Sequence, residues 1–166
     1  MHSYALDVKK ADFKFYAAHF CIISEGREKL HGHNYQVGVV LEATRINDDG
    51  YIIPFRQIKD AIRKVCESLN ERFLLPMNNP DLRIEDLQDG HIKITRPENR
   101  YYVFPSEDVV RLPIRQSTCE ELSQYVSQRI LEEVGQGWLI SKGIRLFQVS
   151  VCEAPGQEAI YRFSLE

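Results

Sequence analysis

No two of the four cysteines stand close enough in sequence to form a metal knuckle or a redox pair. Cys21, Cys66, Cys119 and Cys152 are scattered, with no Cys-x-x-Cys among them. That removes a closed cysteine-based zinc site from consideration. An export signal is also missing: Asp7, Lys9, Lys10, Asp12 and Lys14 interrupt any apolar core near the start. The thiols therefore read as free groups in a reducing cytosol, and the expected location is cytoplasmic. No apolar run approaches the ~20 residues of a membrane helix, so no membrane partner is expected. Nor is there a basic surplus. Lys and Arg number 21 against 24 Asp and Glu, a net charge of −3, which leaves no stripe to neutralise nucleic-acid phosphates. Repeats, linkers and low-complexity stretches are absent too. What remains is a single domain over 1–166, large enough to bury a core.

Within that frame the periodicities define a short list of elements. Tyr4 to Phe20 reads as a long strand with Phe13, Phe15, Ala17 and His19 on one face. A polar connection over 22–29 leads to a second strand from about His33 to Ala43 with Tyr35, Val37, Val39 and Leu41 on one side. After the turn Asn47-Asp48-Asp49-Gly50, the residues Phe55, Ile58, Ile62, Val65 and Leu69 recur at helical spacing. His91 to Thr95 and Tyr101 to Phe104 have strand composition around a turn at Arg96-Pro97-Glu98-Asn99, giving a hairpin. Ser117 and Glu120 read as a capping box for a second helix that carries Leu122, Val126, Ile130 and Val134 and stops at Gly135. Ile144 to Glu153 and Ala159 to Leu165 close the chain as two strands. Local rules give an α+β domain: a four-stranded antiparallel sheet, two helices on one face and an inserted hairpin.

The chemistry concentrates between Ala17 and Tyr35, where three of the five histidines lie. His31 and His33 are two apart and share one face of an extended strand, with Gly32 between them adding no bulk. His19 stands on the preceding strand, and if the two strands pair as neighbours the three imidazoles converge. Three neutral imidazoles with a fourth position open is the layout of a catalytic zinc, Zn2+.

Phe15-Tyr16-Ala17-Ala18-His19 followed by Leu30-His31-Gly32-His33-Asn34-Tyr35 resembles the 6-pyruvoyl-tetrahydropterin synthase and 6-carboxy-tetrahydropterin synthase family. The resemblance covers most of the chain apart from an insertion at about 75–113. It implies the tunnelling fold, in which subunits close a trimeric β-barrel, two trimers stack into a homo-hexamer, and active sites lie between subunits. It also implies zinc held by His19, His31 and His33, and a small-molecule pterin as partner. Glu153 matches the family's glutamate that grips the pterin ring, where a carboxylate can accept two parallel N–H bonds. Ser117-Thr118-Cys119-Glu120 resembles the family's Pro-Thr-x-Glu segment, with Thr118 at its threonine, which implies pterin contacts supplied from a neighbouring subunit.

This sequence departs from the family pattern at two places. The cysteine that serves as general base falls on Arg27, or on Glu25 in the longer-spaced branch, with Glu28 close by. Some branches use a glutamate in this region. Leu69-Asn70-Glu71-Arg72-Phe73-Leu74 resembles the family's Leu-Asp-His-Arg-Tyr-Leu, so Asn70 and Glu71 replace an aspartate–histidine proton relay. Asparagine cannot ionise, whereas a carboxylate whose pKa is raised by burial can still move a proton. Two readings follow. One is a zinc-dependent lyase acting on the side chain of a reduced pterin such as dihydroneopterin triphosphate, with Glu71 or Glu28 as base and Arg27 or Lys29 neutralising phosphate. The other is a zinc-bearing pterin-binding protein without catalysis.

Overall fold

The computed structural model describes residues 3–23 and 26–165. In β1 (Tyr4–His19) Phe13, Phe15, Ala17 and His19 are buried, while Lys14 and Tyr16 between them are exposed, the two-residue period of a strand with one dry face. Where the sequence suggested only a polar connection, β2 (Ile22–Ile23) and β3 (Gly26–Arg27) pair as a small ribbon. It leads into β4 (His31–Ala43), which starts two residues earlier than its periodicity suggests. β1 and β4 are antiparallel, with Phe15 opposite Tyr35, Ala17 opposite His33 and His19 opposite His31.

Helix α1 (Phe55–Leu69) buries Ile58, Ala61, Ile62, Val65, Cys66 and Leu69, the stripe its spacing dictates. Beyond it come β5 (Arg72–Pro76), β6 (Arg83–Asp86), β7 (His91–Thr95), β8 (Tyr101–Pro105) and β9 (Val109–Leu112). Helix α2 (Cys119–Val134) ends at Gly135, and a short α3 (Gln136–Ser141) follows that the sequence did not announce. β10 (Ile144–Ala154) and β11 (Gln157–Ser164) complete the chain.

The α+β class holds, but the main sheet differs from the expectation. It has six strands in the order β11-β10-β4-β1-β5-β9 rather than four. It is also mixed, because β5 runs parallel to β1 and β9 parallel to β5. These two strands are only five and four residues long and pair across large sequence separations, so no hairpin signal marks them. Nor is the 75–113 stretch a simple hairpin: β6, β7 and β8 form a separate three-stranded sheet.

Two apolar clusters follow from this layout. The larger lies between one sheet face and helices α1 and α2, around Phe15, Tyr35, Leu41, Ile62, Val126, Phe147 and Val149. The smaller packs the three-stranded sheet onto the β5 margin through Phe20, Phe73, Leu75, Ile92, Ile94 and Val109. The histidine end of the β1–β4 ladder sits where the two clusters meet, since Ala17 belongs to the first and Phe20 to the second.

Candidate metal centre and ligand cleft

Direct cross-strand pairing brings the three imidazoles together. Their ring centroids lie 4.6 Å (His19–His31), 4.8 Å (His31–His33) and 5.1 Å (His19–His33) apart. One nitrogen from each ring falls within 4.8 Å of the other two. The tautomers follow from the neighbours. His19 Nδ1 is 2.9 Å from the Ser117 carbonyl oxygen, and His31 Nδ1 is 2.7 Å from that of Lys29. A carbonyl can only accept, so in both rings Nδ1 carries the proton and Nε2 presents a lone pair.

At His19 that lone pair is orphaned: Nε2 is fully buried and has no hydrogen-bond partner. A buried unpaired polar atom costs about 1–3 kcal/mol, a cost that a coordinated cation removes. Burial, ahead of the neighbouring imidazoles, pushes His19 below the ordinary imidazole pKa, which keeps it neutral and able to ligate. The donor set therefore fits a divalent cation of the kind imidazole prefers. A second trio, His19, Cys21 and Glu28, is equally compact. Its thiol is pushed up to about 12 by burial and then by Glu28, so a cation would have to displace that proton, whereas the imidazoles offer lone pairs already free. The three histidines are the better set.

Ser117 supports the site rather than capping the helix. Its hydroxyl donates to the Phe20 carbonyl (3.2 Å) and lies 3.2 Å from His19 Nδ1. The N-cap is instead Thr118, whose hydroxyl accepts from the Glu121 N–H. Glu121, not Glu120, answers it, reaching back to accept from the N–H groups of Arg115 and Gln116. The adjacent Thr118 hydroxyl takes the cap because the buried histidine engages Ser117. Gln116, which the sequence did not single out, donates to the Ile22 carbonyl and accepts the Ile22 N–H at 3.2 Å. The connection to β4 is thus anchored beside α2.

A cleft of about 300 Å³ opens here, lined by His19, Cys21, Glu28, Thr118, Cys119 and Glu153 among others. Glu28 is fixed to the strand end by two bonds: its Oε2 accepts the Cys21 N–H at 3.1 Å, and its own N–H donates to the Cys21 carbonyl at 3.1 Å. Glu153 Oε2 lies 3.8 Å from His33 Nε2 and accepts the Cys119 thiol at 3.4 Å. Burial first, then Glu153, raises the Cys119 thiol to about 12 despite its place at a helix start.

Of the residues singled out from sequence, His19, His31, His33, Glu28, Glu153 and Thr118 meet in or beside this cleft. Asn70 and Glu71 do not. Asn70 Oδ1 accepts the Tyr16 N–H at 2.9 Å, and the Glu71 N–H donates to the Tyr16 carbonyl at 2.7 Å. Glu71 has a left-handed φ of 55° and borders a second open hollow with Tyr16, Ala18, Asn34 and Arg72, which His33 also lines. By strand alternation Tyr16, Ala18 and Asn34 face away from the histidines. Glu25 lies outside the described residues. Among the described residues no helix is long and apolar enough to cross a membrane.

Comparison with known proteins gives a consistent picture. The profile of the 6-pyruvoyl tetrahydropterin synthase family matches residues 8–164. A Methanocaldococcus jannaschii protein, provisionally named 6-carboxy-5,6,7,8-tetrahydropterin synthase, is 33% identical over 156 residues, 94% of this chain and 93% of its own. The crystal structure of Plasmodium vivax 6-pyruvoyl tetrahydropterin synthase superposes with a TM-score of 0.94 at 36% identity, covering 99% of each chain. The Plasmodium falciparum 6-pyruvoyl tetrahydropterin synthase gives 0.93 at 37%, covering 98% of each. Two further structures of the P. vivax protein carry alanine or cysteine in place of a glutamate described as a catalytic residue.

Proposed function

The chain belongs to the 6-pyruvoyl tetrahydropterin synthase family, and from that premise we propose that it is a zinc-dependent lyase acting on the side chain of a reduced pterin, with dihydroneopterin triphosphate as the first substrate to try. The single observation that carries this reading is the histidine trio, with two rings held by backbone carbonyls in the ligating tautomer and a buried, unpartnered His19 Nε2. His19, His31 and His33 would hold the zinc, which would supply Lewis acidity toward side-chain oxygens and so acidify the neighbouring C–H bonds.

The protein's own residues divide the remaining work. Glu28 is the general base we favour over Glu71, because its carboxylate is held beside His19 within one chain. That a glutamate is described as catalytic in the P. vivax relative supports a carboxylate as the base. Glu153 and Thr118 share the cleft, and the Glu153 carboxylate is suited to accept paired N–H donors from a pterin ring. Asn70 cannot relay a proton, and Glu71 enters the reaction only if assembly brings it to a neighbour's cleft. We take that assembly to be a homo-hexamer in the cytoplasm, with the 75–113 stretch as an insertion in a single domain.

The deciding experiment is incubation of zinc-loaded protein with dihydroneopterin triphosphate and mass identification of every product. Loss of triphosphate gives a 6-pyruvoyl product and cleavage of the carbon chain gives a shortened one; either supports the lyase. Binding without conversion would replace it with a zinc-bearing pterin-binding protein.

A further inference from the structure

Arg96 follows the end of β7, in a stretch whose composition reads only as a turn, yet it is 8% exposed. A buried guanidinium needs several partners to offset its lost hydration. Here Nη2 donates to the Glu28 carbonyl at 2.8 Å and Nη1 to the Tyr102 hydroxyl at 3.3 Å. The guanidinium carbon lies 4.3 Å from the centroid of the Phe20 ring and 5.9 Å from that of Tyr102. Its backbone is fixed as well, with the Arg96 N–H donating to the Arg100 carbonyl at 2.6 Å.

These contacts cross from the three-stranded sheet to the metal end of the main sheet. Phe20 directly follows His19, and Glu28 precedes His31 by three residues. Glu28's N–H and carboxylate are held by Cys21, and its carbonyl by Arg96 alone among the described contacts. The platform behind Arg96 is rigid, since Ile92 and Ile94 of β7 are fully buried. A guanidinium can donate in two directions while lying on a ring; an ammonium on a flexible stem cannot do both with the same geometry.

We propose that Arg96 is a positioning residue that fixes the main chain at Glu28, so that the carboxylate stays beside His19, and that this is what the three-stranded sheet contributes to the reaction. The proposal rests on the reading of Glu28 as general base, and a displaced base of the order of an ångström costs up to about 10² in rate.

Arg96→Met, which keeps the buried stem and removes the donors, is the central variant. With zinc content unchanged, kcat should fall roughly tenfold or more while KM stays within about twofold, and Arg96→Lys should recover part of the loss. On a Glu28→Gln background Arg96→Met should add no further loss, because a residue acting through Glu28 has nothing left to position. Hydrogen exchange in peptides isolating 26–31 should quicken in Arg96→Met while 91–95 stays protected. Unchanged kcat, multiplying losses in the double variant, or unchanged exchange at 26–31 would each overturn the proposal. If Arg96→Met also exposes 91–95, Arg96→Lys decides: wild-type kcat and exchange at 26–31 in that variant reject the role. Full turnover by Glu28→Gln would instead reject Glu28 as base. The exchange result would still report whether Arg96 holds this segment.

Discussion

Two polar regions flank the same end of β1, and they use their side chains differently. In the histidine cleft, hydrogen bonds commit one nitrogen of His19 and one of His31 to carbonyls and leave the other for a ligand. At the Asn70–Glu71 corner, the polar groups are spent on the strand itself, with Asn70 Oδ1 and the Glu71 N–H completing the hydrogen bonding of Tyr16. There β1 has not yet gained its parallel neighbour, because pairing with β5 begins only at Ala17. The corner thus finishes a sheet, whereas the cleft leaves imidazole lone pairs unspent.

The sharpest break of that comparison is removal of a ligand. Purified protein should carry about one zinc per chain, and His31→Ala or His33→Ala should lose it, with all turnover. Retention of full metal in both variants, by elemental analysis, would dissolve the difference between the two regions. Next come the two carboxylates. Glu28→Gln keeps shape but removes the proton acceptor, so kcat should fall about 10²–10⁴-fold. Glu71→Gln should cost about tenfold, and only in the assembled protein. If the order is reversed in steady-state kinetics, the corner is the catalytic region.

Glu153→Ala should weaken pterin binding by roughly 2–4 kcal/mol, measured by titration calorimetry, with zinc content unchanged. Equal affinity in the variant would make Glu153 a strand-end carboxylate. The smallest effect concerns the thiols. Burial together with nearby carboxylates lifts both Cys21 and Cys119 to about 12, so both stay protonated and neutral well above physiological pH. Replacing both with serine should leave kcat within about threefold, and the pH–rate profile should show no thiol limb between about pH 7 and 9. A dead double variant would return the base to a cysteine.

How far the sequence reached depended on the range of the interactions. The β1–β4 hairpin, α1 and the last two strands announce themselves through period-two and period-3.6 burial, and each appears within a few residues of its expected bounds. The histidine cluster was equally legible, because one antiparallel register decides it. β5 and β9 were not, since short parallel strands draw their partners from distant sequence. The choice between Ser117 and Thr118 as cap turned on a histidine 98 positions away from Ser117. Arg96 was hidden for the same reason, since its partner at Glu28 lies 68 positions away.

His19 and His31 oppose one another at the last rung of the β1–β4 ladder, where an antiparallel pair would otherwise fray. An ion shared between them would fasten that end and tie the foot of β1 to the foot of β4. In thermodynamic terms the metal is then a ligand of the native state alone, worth about 2.7 kcal/mol at a hundredfold excess over its dissociation constant. A chelator acts on such a chain as a mild denaturant, and its melting temperature becomes a gauge of free metal.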